Sequence, residues 1–303
     1  MATVYTTKSK LKVRLISPWQ TYAETENAIF SVDIPTDKAD ALLCEWAPSA
    51  ELFTFPRRKA WYCCEPQCQF RALGGGVWPK IKANLGPHEF MWHGHPDSRY
   101  RVPHITHFEP LVINTNPNRL DKAVAIVSNH GGSPWRRHPD ITYRNKIITD
   151  PRVELYGRLG WNGYRARWYS RRAAPSNYKG EIPGDWPAGE KRELMSKYKV
   201  AICMENTSEP NYFTEKFVEA VVAGCVPVYA AERTVMGSFL DGALWVDPAN
   251  CGGTAQEAIA SALDADWSMV LSQNKRWLED NKILQGTCSA AVFEKIGAIL
   301  VDA

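Results

Sequence analysis

The 303 residues predict an α/β protein of two parallel-sheet domains closed by a C-terminal helical tail. Three observations predict it. Short β-branched or aromatic runs alternate with helical stretches along most of the chain, the pattern of parallel sheets covered on both faces. The length exceeds that at which a single core stops growing, roughly 250–300 residues. A Pro- and Asn-rich segment, FEPLVINTNPNRLDK (108–122), separates two such alternating stretches and has the character of a linker. The expected domains are therefore 1–115 and 116–303, the second including the closing helices.

In the first half, LKVRLI (11–16), DALLCEW (40–46), KAWYCCE (59–65) and EFMWH (89–93) read as buried strands, with a helix at VWPKIKANL between the last two. The second half repeats the pattern. AVAIVS (123–128), VELYG (153–157), KVAICME (199–205), VPVYA and ALWVD are strands; DITYRNKIITD (140–150), GEKRELMSKY and FTEKFVEAVVAG are helices, the last with Gly224 placed to end it. TAQEAIASALDA, WSMVLSQNKRWLEDN and SAAVFEKIGAILV close the chain as three helices.

Composition excludes several classes. With 45% hydrophobic and 23% charged residues the chain is an ordinary globular one, and a net charge of +3 makes no case for nucleic acid. No apolar run approaches the roughly 18 residues of a membrane span, and the N-terminal stretch lacks a signal peptide's apolar core. The chain thus reads as soluble, with a cytoplasmic location expected and a membrane anchor outside this chain left open. Cys203 and Cys225 lie in apolar runs and read as reduced core thiols. CCEPQC lacks the paired spacing of a zinc site. No GxGxxG follows either domain's first strand, and neither a P-loop nor a GxSxG elbow occurs, so dinucleotide oxidoreductases, P-loop NTPases and α/β-hydrolases lose ground.

The chemistry concentrates in AICMENTSEPNYFTEKFVEA, one strand–loop–helix unit. In parallel α/β domains ligands bind at strand carboxyl ends, against the N-termini of the following helices, where an anion is favoured. Lys216 in the first turn reaches such an anion, and the adjacent Glu215 carboxylate can accept both hydrogen bonds of a ribose diol. A sugar nucleotide satisfies both. On helix physics alone a second reading stands beside this one: Glu215 favours the helix N-terminus and Lys216 is solvated surface.

MENTSEPNYFTEKFVEAVVAGCVPVYAA (204–231) resembles the signature of the family 10 glycosyltransferases, the α1,3/4-fucosyltransferases: an ENS-like triplet, then Y-x-TEK, a helix, and AG-x-VPV. AIVSN with the later Arg144, VELYGRLG, KAWYCCEP, DSRYRVPHI and FLDGALWVDPANCGGTAQEAIASAL are similar to further family segments. The resemblance spans most of 40–280, strongest over 192–230. It implies a GT-B fold, two Rossmann-like domains facing a cleft, with the donor held by the second. It implies that Glu215 holds the nucleotide ribose, Lys216 the phosphates and Arg144 the pyrophosphate. Asn206 and Tyr212 then lie near the donor sugar, and Ser128 and Asn129 line the same pocket. The general base falls on Glu65, at a strand's carboxyl end; its plainer reading is a surface carboxylate. Here the family's Glu-Ser-Pro is Glu-Pro, which puts the base's placement in question.

The implied reaction is inverting transfer, L-fucose from GDP-fucose to a glycan hydroxyl, with no required cofactor, no metal site, and at most stimulation by a divalent cation. Alternatives are a same-fold enzyme using another nucleotide sugar, or a non-catalytic glycan- or nucleic-acid-binding protein. The last draws on GRLGWNGYRARWYSRRAAPSNYKG (157–180), with five Arg, one Lys, five aromatics and no acid; a loop over the donor pocket fits it as well, and no nucleic acid partner is expected. DAD (264–266) has the form of a metal motif but joins two helices, and is read as a solvated helix end. The span HEFMWHGHPDSRYRVPHITH holds five of the seven histidines and admits either a metal or acceptor contacts.

Overall fold

The computed structural model describes residues 9–18, 20–46, 48–63, 80–81, 83, 85, 90–92, 111–127, 139–157, 175–182, 189–205, 212–230, 232, 235–236, 239–280 and 289–302. The chain divides into two compact units, Met1–His104 with Ser289–Ala303, and Ile105–Cys288.

The first unit is built on six strands: β1 (Leu11–Ile16), β2 (Tyr22–Glu24), β3 (Ala28–Ser31), β4 (Ala41–Glu45), β5 (Arg58–Cys63) and β6 (Phe90–Trp92), ordered β2-β3-β1-β4-β5-β6. All neighbours are parallel except β2 and β3. A short helix α1 (Ala50–Thr54), capped by the Ser49 side chain, joins β4 to β5. β4 is buried along its whole length, as an apolar strand with neighbours on both sides must be. Leu42 and Cys44 pack on one face with Leu52, Phe55 and Trp61, and Ala41 and Leu43 on the other.

The second unit has a five-stranded parallel sheet of β7 (Leu120–Ile126), β8 (Val153–Tyr156), β9 (Tyr178–Gly180), β10 (Tyr198–Ile202) and β11 (Val226–Val228), ordered β11-β10-β7-β8-β9. Its helices are α2 (Pro139–Ile148), α3 (Glu190–Met195), α4 (Glu215–Val222), α5 (Ala255–Asp264) and α6 (Trp267–Asp280). Ala123, Ala125, Val200 and Val226 face a core with α5; Val124, Ala201 and Cys203 face the other, with α4 and α6. Cys203 and Cys225 are buried free thiols, as read. Among the described residues no helix is long and apolar enough to cross a membrane.

Besides short elements that no run announced, three features depart from the sequence reading. The last closing helix, α7 (Ser289–Asp302), packs on the first sheet, not with the second unit: Val292, Phe293, Ile296 and Leu300 join Val13, Phe30 and Leu43. Arg58 donates to the Leu300 and Val301 carbonyls at 2.9 and 2.8 Å, and Glu294 accepts from the Glu26 amide at 3.0 Å. β7 begins inside the expected linker, because the Leu120 amide finds a partner in the Lys197 carbonyl at 2.8 Å. The strand expected at ALWVD is one bridge, Val228 to Val246. By contrast, DAD is the helix junction it was read as: the Asp266 carboxylate accepts from the Met269 amide at 3.0 Å and so opens α6.

α4 ends as its glycine indicates. The Cys225 amide bonds the Ala220 carbonyl at 3.0 Å and the Gly224 amide the Val221 carbonyl at 2.8 Å, the paired contacts of a Schellman ending, with Gly224 at φ +75°. A Cβ at Gly224 would lie 2.0 Å from the Asn114 carbonyl oxygen. Gly224→Ala is expected to destabilise the second unit by about 1–3 kcal/mol from backbone strain, and more from the clash, as a lower urea midpoint.

Candidate functional site

β10 and α4 supply the site's frame. The chain leaves β10 at Ile202, runs through Cys203 to Glu205, and re-enters at Tyr212 to start α4 at Glu215. β10 neighbours β7, and the path turns back across β7 there: β7, β8 and β9 run outward on one side, β10 and β11 on the other. The carboxyl ends of β7 and β10 therefore flank the topological switch point, where open α/β sheets bind ligands.

The start of α4 is held by aromatic packing. Phe213 stacks on Phe239 with centroids 5.1 Å apart, and Phe217 meets Tyr229 and Trp277 edge-on at 5.2 and 5.4 Å. Both phenylalanines are fully buried, one on each side of Glu215 and Lys216, so the first turn has little freedom.

On this anchor sits a chain of alternating charges. The Glu205 carboxylate, 6% exposed, accepts from the Thr214 amide and hydroxyl, each at 2.8 Å. It thereby ties the end of β10 to the residue that opens α4. The Lys216 ammonium lies 3.0 Å from Glu205, 2.8 Å from the Thr214 hydroxyl and 3.4 Å from Glu215. Three acceptors match its three protons. Behind Glu215, one turn along α4, Glu219 pairs with Lys191 of α3; both are buried. Glu215 and Lys216 keep 18% and 23% of their side chains accessible and are the outward members.

The charge states follow from this layout. Burial pushes the Glu215 carboxyl up, but Lys216 and Lys191 together outweigh it and hold the group well below its ordinary value. Burial pushes the Lys216 ammonium down, and Glu205 and Glu215 more than reverse that. Burial raises the Glu219 carboxyl, a rise Lys191 offsets only in part. Arg144 on α2 is 3% exposed; burial lowers its guanidinium to about 10, with Glu205 and Tyr212 opposing the shift, so it is a cation at neutral pH.

Of the expected site residues, then, Arg144, Tyr212, Glu215 and Lys216 lie in the described second unit. Glu215 and Lys216 are in direct contact, and Arg144 interacts electrostatically with Glu205 and with Tyr212. Ser128, Asn129 and Asn206 of this unit and Glu65 of the first lie outside the described residues, as do the five histidines of the histidine-rich span and most of the Arg- and aromatic-rich segment. Glu205, Thr214, Lys191 and Glu219 went unassigned in the sequence reading. Glu205 had a signal, an acid at the carboxyl end of a buried strand; Glu219 had one too, a lone acid inside the apolar FVEAVV. Glu205→Gln is expected to halve the charge partners of Lys216 and lower stability by about 1–3 kcal/mol, read by thermal unfolding at pH 7.

Comparison with known proteins bears on the fold and on the segment that carries this cluster. Residues 117–250 match the C-terminal domain of glycosyltransferase family 10 (fucosyltransferase). A putative fucosyltransferase-like protein of Arabidopsis thaliana is 49% identical over 39 residues, which is 13% of this chain; the match spans only 8% of that relative's length. Among solved structures, an α1,3-fucosyltransferase superposes with a TM-score of 0.51 at 13% identity, covering 93% of both chains. A UDP-forming α,α-trehalose-phosphate synthase from Burkholderia xenovorans gives 0.53 at 12% identity, covering 86% of this chain and 72% of its own. At such identities these two show the fold, which is that of GT-B glycosyltransferases. The strand–loop–helix unit that carries Glu205, Glu215 and Lys216 lies wholly within the segment, residues 117–250, that matches the C-terminal domain of glycosyltransferase family 10 (fucosyltransferase).

Proposed function

We propose that the protein is an inverting glycosyltransferase that moves a sugar, L-fucose from GDP-fucose, to a glycan hydroxyl. The observation that carries this reading is the Glu205–Thr214–Lys216–Glu215 cluster at the switch point of the family-matched sheet. Glu215, ionised and outward, accepts both hydroxyls of the ribose. Lys216 exchanges its longest contact, the 3.4 Å one to Glu215, for a phosphate oxygen. Arg144 meets the pyrophosphate, and Tyr212 the donor sugar or phosphate. Asn206, Ser128 and Asn129 complete the same pocket.

The chemistry then needs little else. The acceptor oxygen attacks the anomeric carbon opposite the leaving group; the bond to the pyrophosphate oxygen breaks, and its electrons leave with GDP. Arg144 and the N-terminus of α4 stabilise that charge, which replaces a metal ion in this role. The acceptor proton passes to a carboxylate, assigned to Glu65.

The test is calorimetric titration with GDP, UDP and ADP. Saturable binding with GDP preferred supports the reading, UDP preference points to another nucleotide sugar, and no binding to any of them overturns it. Glu65→Gln should keep GDP affinity while transfer falls by about 100-fold or more; surviving transfer would place the base elsewhere.

A further inference from the structure

Two buried charges of the second unit have no part in the transfer chemistry. Lys191 of α3 and Glu219 of α4 are paired away from solvent. Such a pair is a poor way to stabilise a fold, because desolvation offsets most of the attraction and apolar residues of the same volume do as well. This one is not fully satisfied either: Glu219 Oε1 has no hydrogen bond among the described residues. Its place points to another use. Glu215 and Glu219 are four residues apart on α4 and share one face of the helix, and α3 packs on α4. Among the described residues, Lys191 is the cation outside α4 that acts on both carboxylates.

We propose that Lys191 is a positioning residue of the nucleotide site, which from α3 keeps the Glu215 carboxylate an anion able to accept both ribose hydroxyls. This role rests on the sugar-nucleotide reading above. Lys216 does not suffice for it. Glu205 and Thr214 hold the Lys216 ammonium at 3.0 and 2.8 Å, Glu215 is its longest contact at 3.4 Å, and a bound phosphate takes the place of that contact. At that moment Glu215 loses a counter-charge and gains an anionic neighbour. Lys191, buried and already paired on the same helix face, remains as the second cation.

The surrounding groups set the direction of the pH dependence. Glu215 faces Lys216 and Glu219 on its own helix, Lys191 on α3 and the Tyr229 phenol; Lys191 also faces the Cys203 thiol, and Glu205 acts on Lys216. Burial pushes the phenol and the thiol up, so both stay neutral. Burial also raises the Glu219 carboxyl, whereas at Glu215 the rise from burial is outweighed by Lys216 and Lys191. On acidification Glu219 therefore takes the first proton and leaves the charge of Lys191 to Glu215. Without Lys191 the Glu215 carboxyl moves up, and the anion is lost as the pH falls.

The test measures GDP affinity by calorimetry at pH 8 and pH 5 for the wild type, the double variant Lys191→Met with Glu219→Leu, and Glu219→Gln. A terminal phosphate titrates at about pH 6, so each variant is read relative to wild type at the same pH. The double variant should lie within about threefold of wild type at pH 8, and its relative affinity should fall by a further fivefold or more, roughly, at pH 5. Glu219→Gln keeps Lys191 and should stay within about threefold at both. A smaller fall in the double variant, or the same acid loss in Glu219→Gln, overturns the assignment of Lys191 and leaves GDP binding standing. No GDP binding by the wild type at either pH overturns the nucleotide reading, and this role with it. Should either variant not fold, guanosine binding to the wild type decides, because guanosine carries no phosphate. Its affinity should be constant within about twofold from pH 8 to pH 5, and any larger loss shows Glu215 titrating in spite of Lys191 and overturns the assignment.

Discussion

Lys191→Met is expected to lower the stability of the protein by about 3–5 kcal/mol, the range for removing one partner of a buried ion pair. Lys191 is the cation between two carboxylates on one face of α4. It pairs with Glu219, and its charge also reaches Glu215 one turn earlier. Without it, two acids four residues apart are left without their shared cation, and Glu219 is almost fully buried. The double replacement Lys191→Met with Glu219→Leu should recover most of the loss, since an apolar pair of similar volume removes the desolvation problem altogether. Urea unfolding of the three proteins measures this, and a loss below about 1 kcal/mol for Lys191→Met would mean that the pair is screened. The double variant should also bind GDP more weakly than its recovered stability suggests, because Glu215 has lost one of the two cations that keep it ionised.

Lys216→Met is expected to act on stability and binding together. Glu205, only 5% exposed at its side chain, loses the ammonium 3.0 Å away and keeps Thr214, the distant Tyr229 hydroxyl at 3.4 Å and the charge of Arg144. A stability loss of about 3–5 kcal/mol follows. GDP affinity should fall about 100-fold, the worth of a charge-assisted phosphate contact. Lys216→Arg separates the two effects. It restores the charge, but its planar fork cannot reproduce the three contacts of a compact ammonium, so stability should return further than affinity does. Chemical unfolding and calorimetry on the same samples read both.

Much of this architecture was legible in the chain. LKVRLI and DALLCEW are rich in apolar residues because each has sheet neighbours on both sides, and their strands fall within a residue of expectation. FTEKFVEAVVAG announced α4 and, through Gly224, its end. β2, β3 and β9 were not legible: each has three or four residues, and Tyr22–Glu24 lies half in solvent at the sheet edge, so no apolar run marks it. ALWVD looks like a strand by composition, but only Val246 finds a partner. The place of α7 was hidden because it is fixed by the apolar face of a sheet more than two hundred residues earlier in the chain, as the Arg58 and Leu300 contact shows.

The site divides in the same way. Glu215 and Lys216 could be picked from their motif, but local helix physics favoured a solvated pair, and only the tertiary surroundings decide between the two. Glu205 lies nine residues before Thr214, and Lys191 is 28 before Glu219. Their meeting depends on how β10, α3 and α4 pack, which no spacing rule encodes. The result is a first turn whose two charged side chains have their ionisation set by groups on two other elements, the end of β10 and α3.

The most direct measurement is a GDP titration of the wild-type chain and Glu215→Ala side by side. Saturable binding to the wild type, weakened by about 10- to 100-fold in Glu215→Ala with both proteins folded, is the predicted result for a carboxylate that accepts two ribose hydroxyls. Equal GDP affinity in the two proteins would make Glu215 and Lys216 an ordinary helix start and contradict the assignment of this cluster as the nucleotide site.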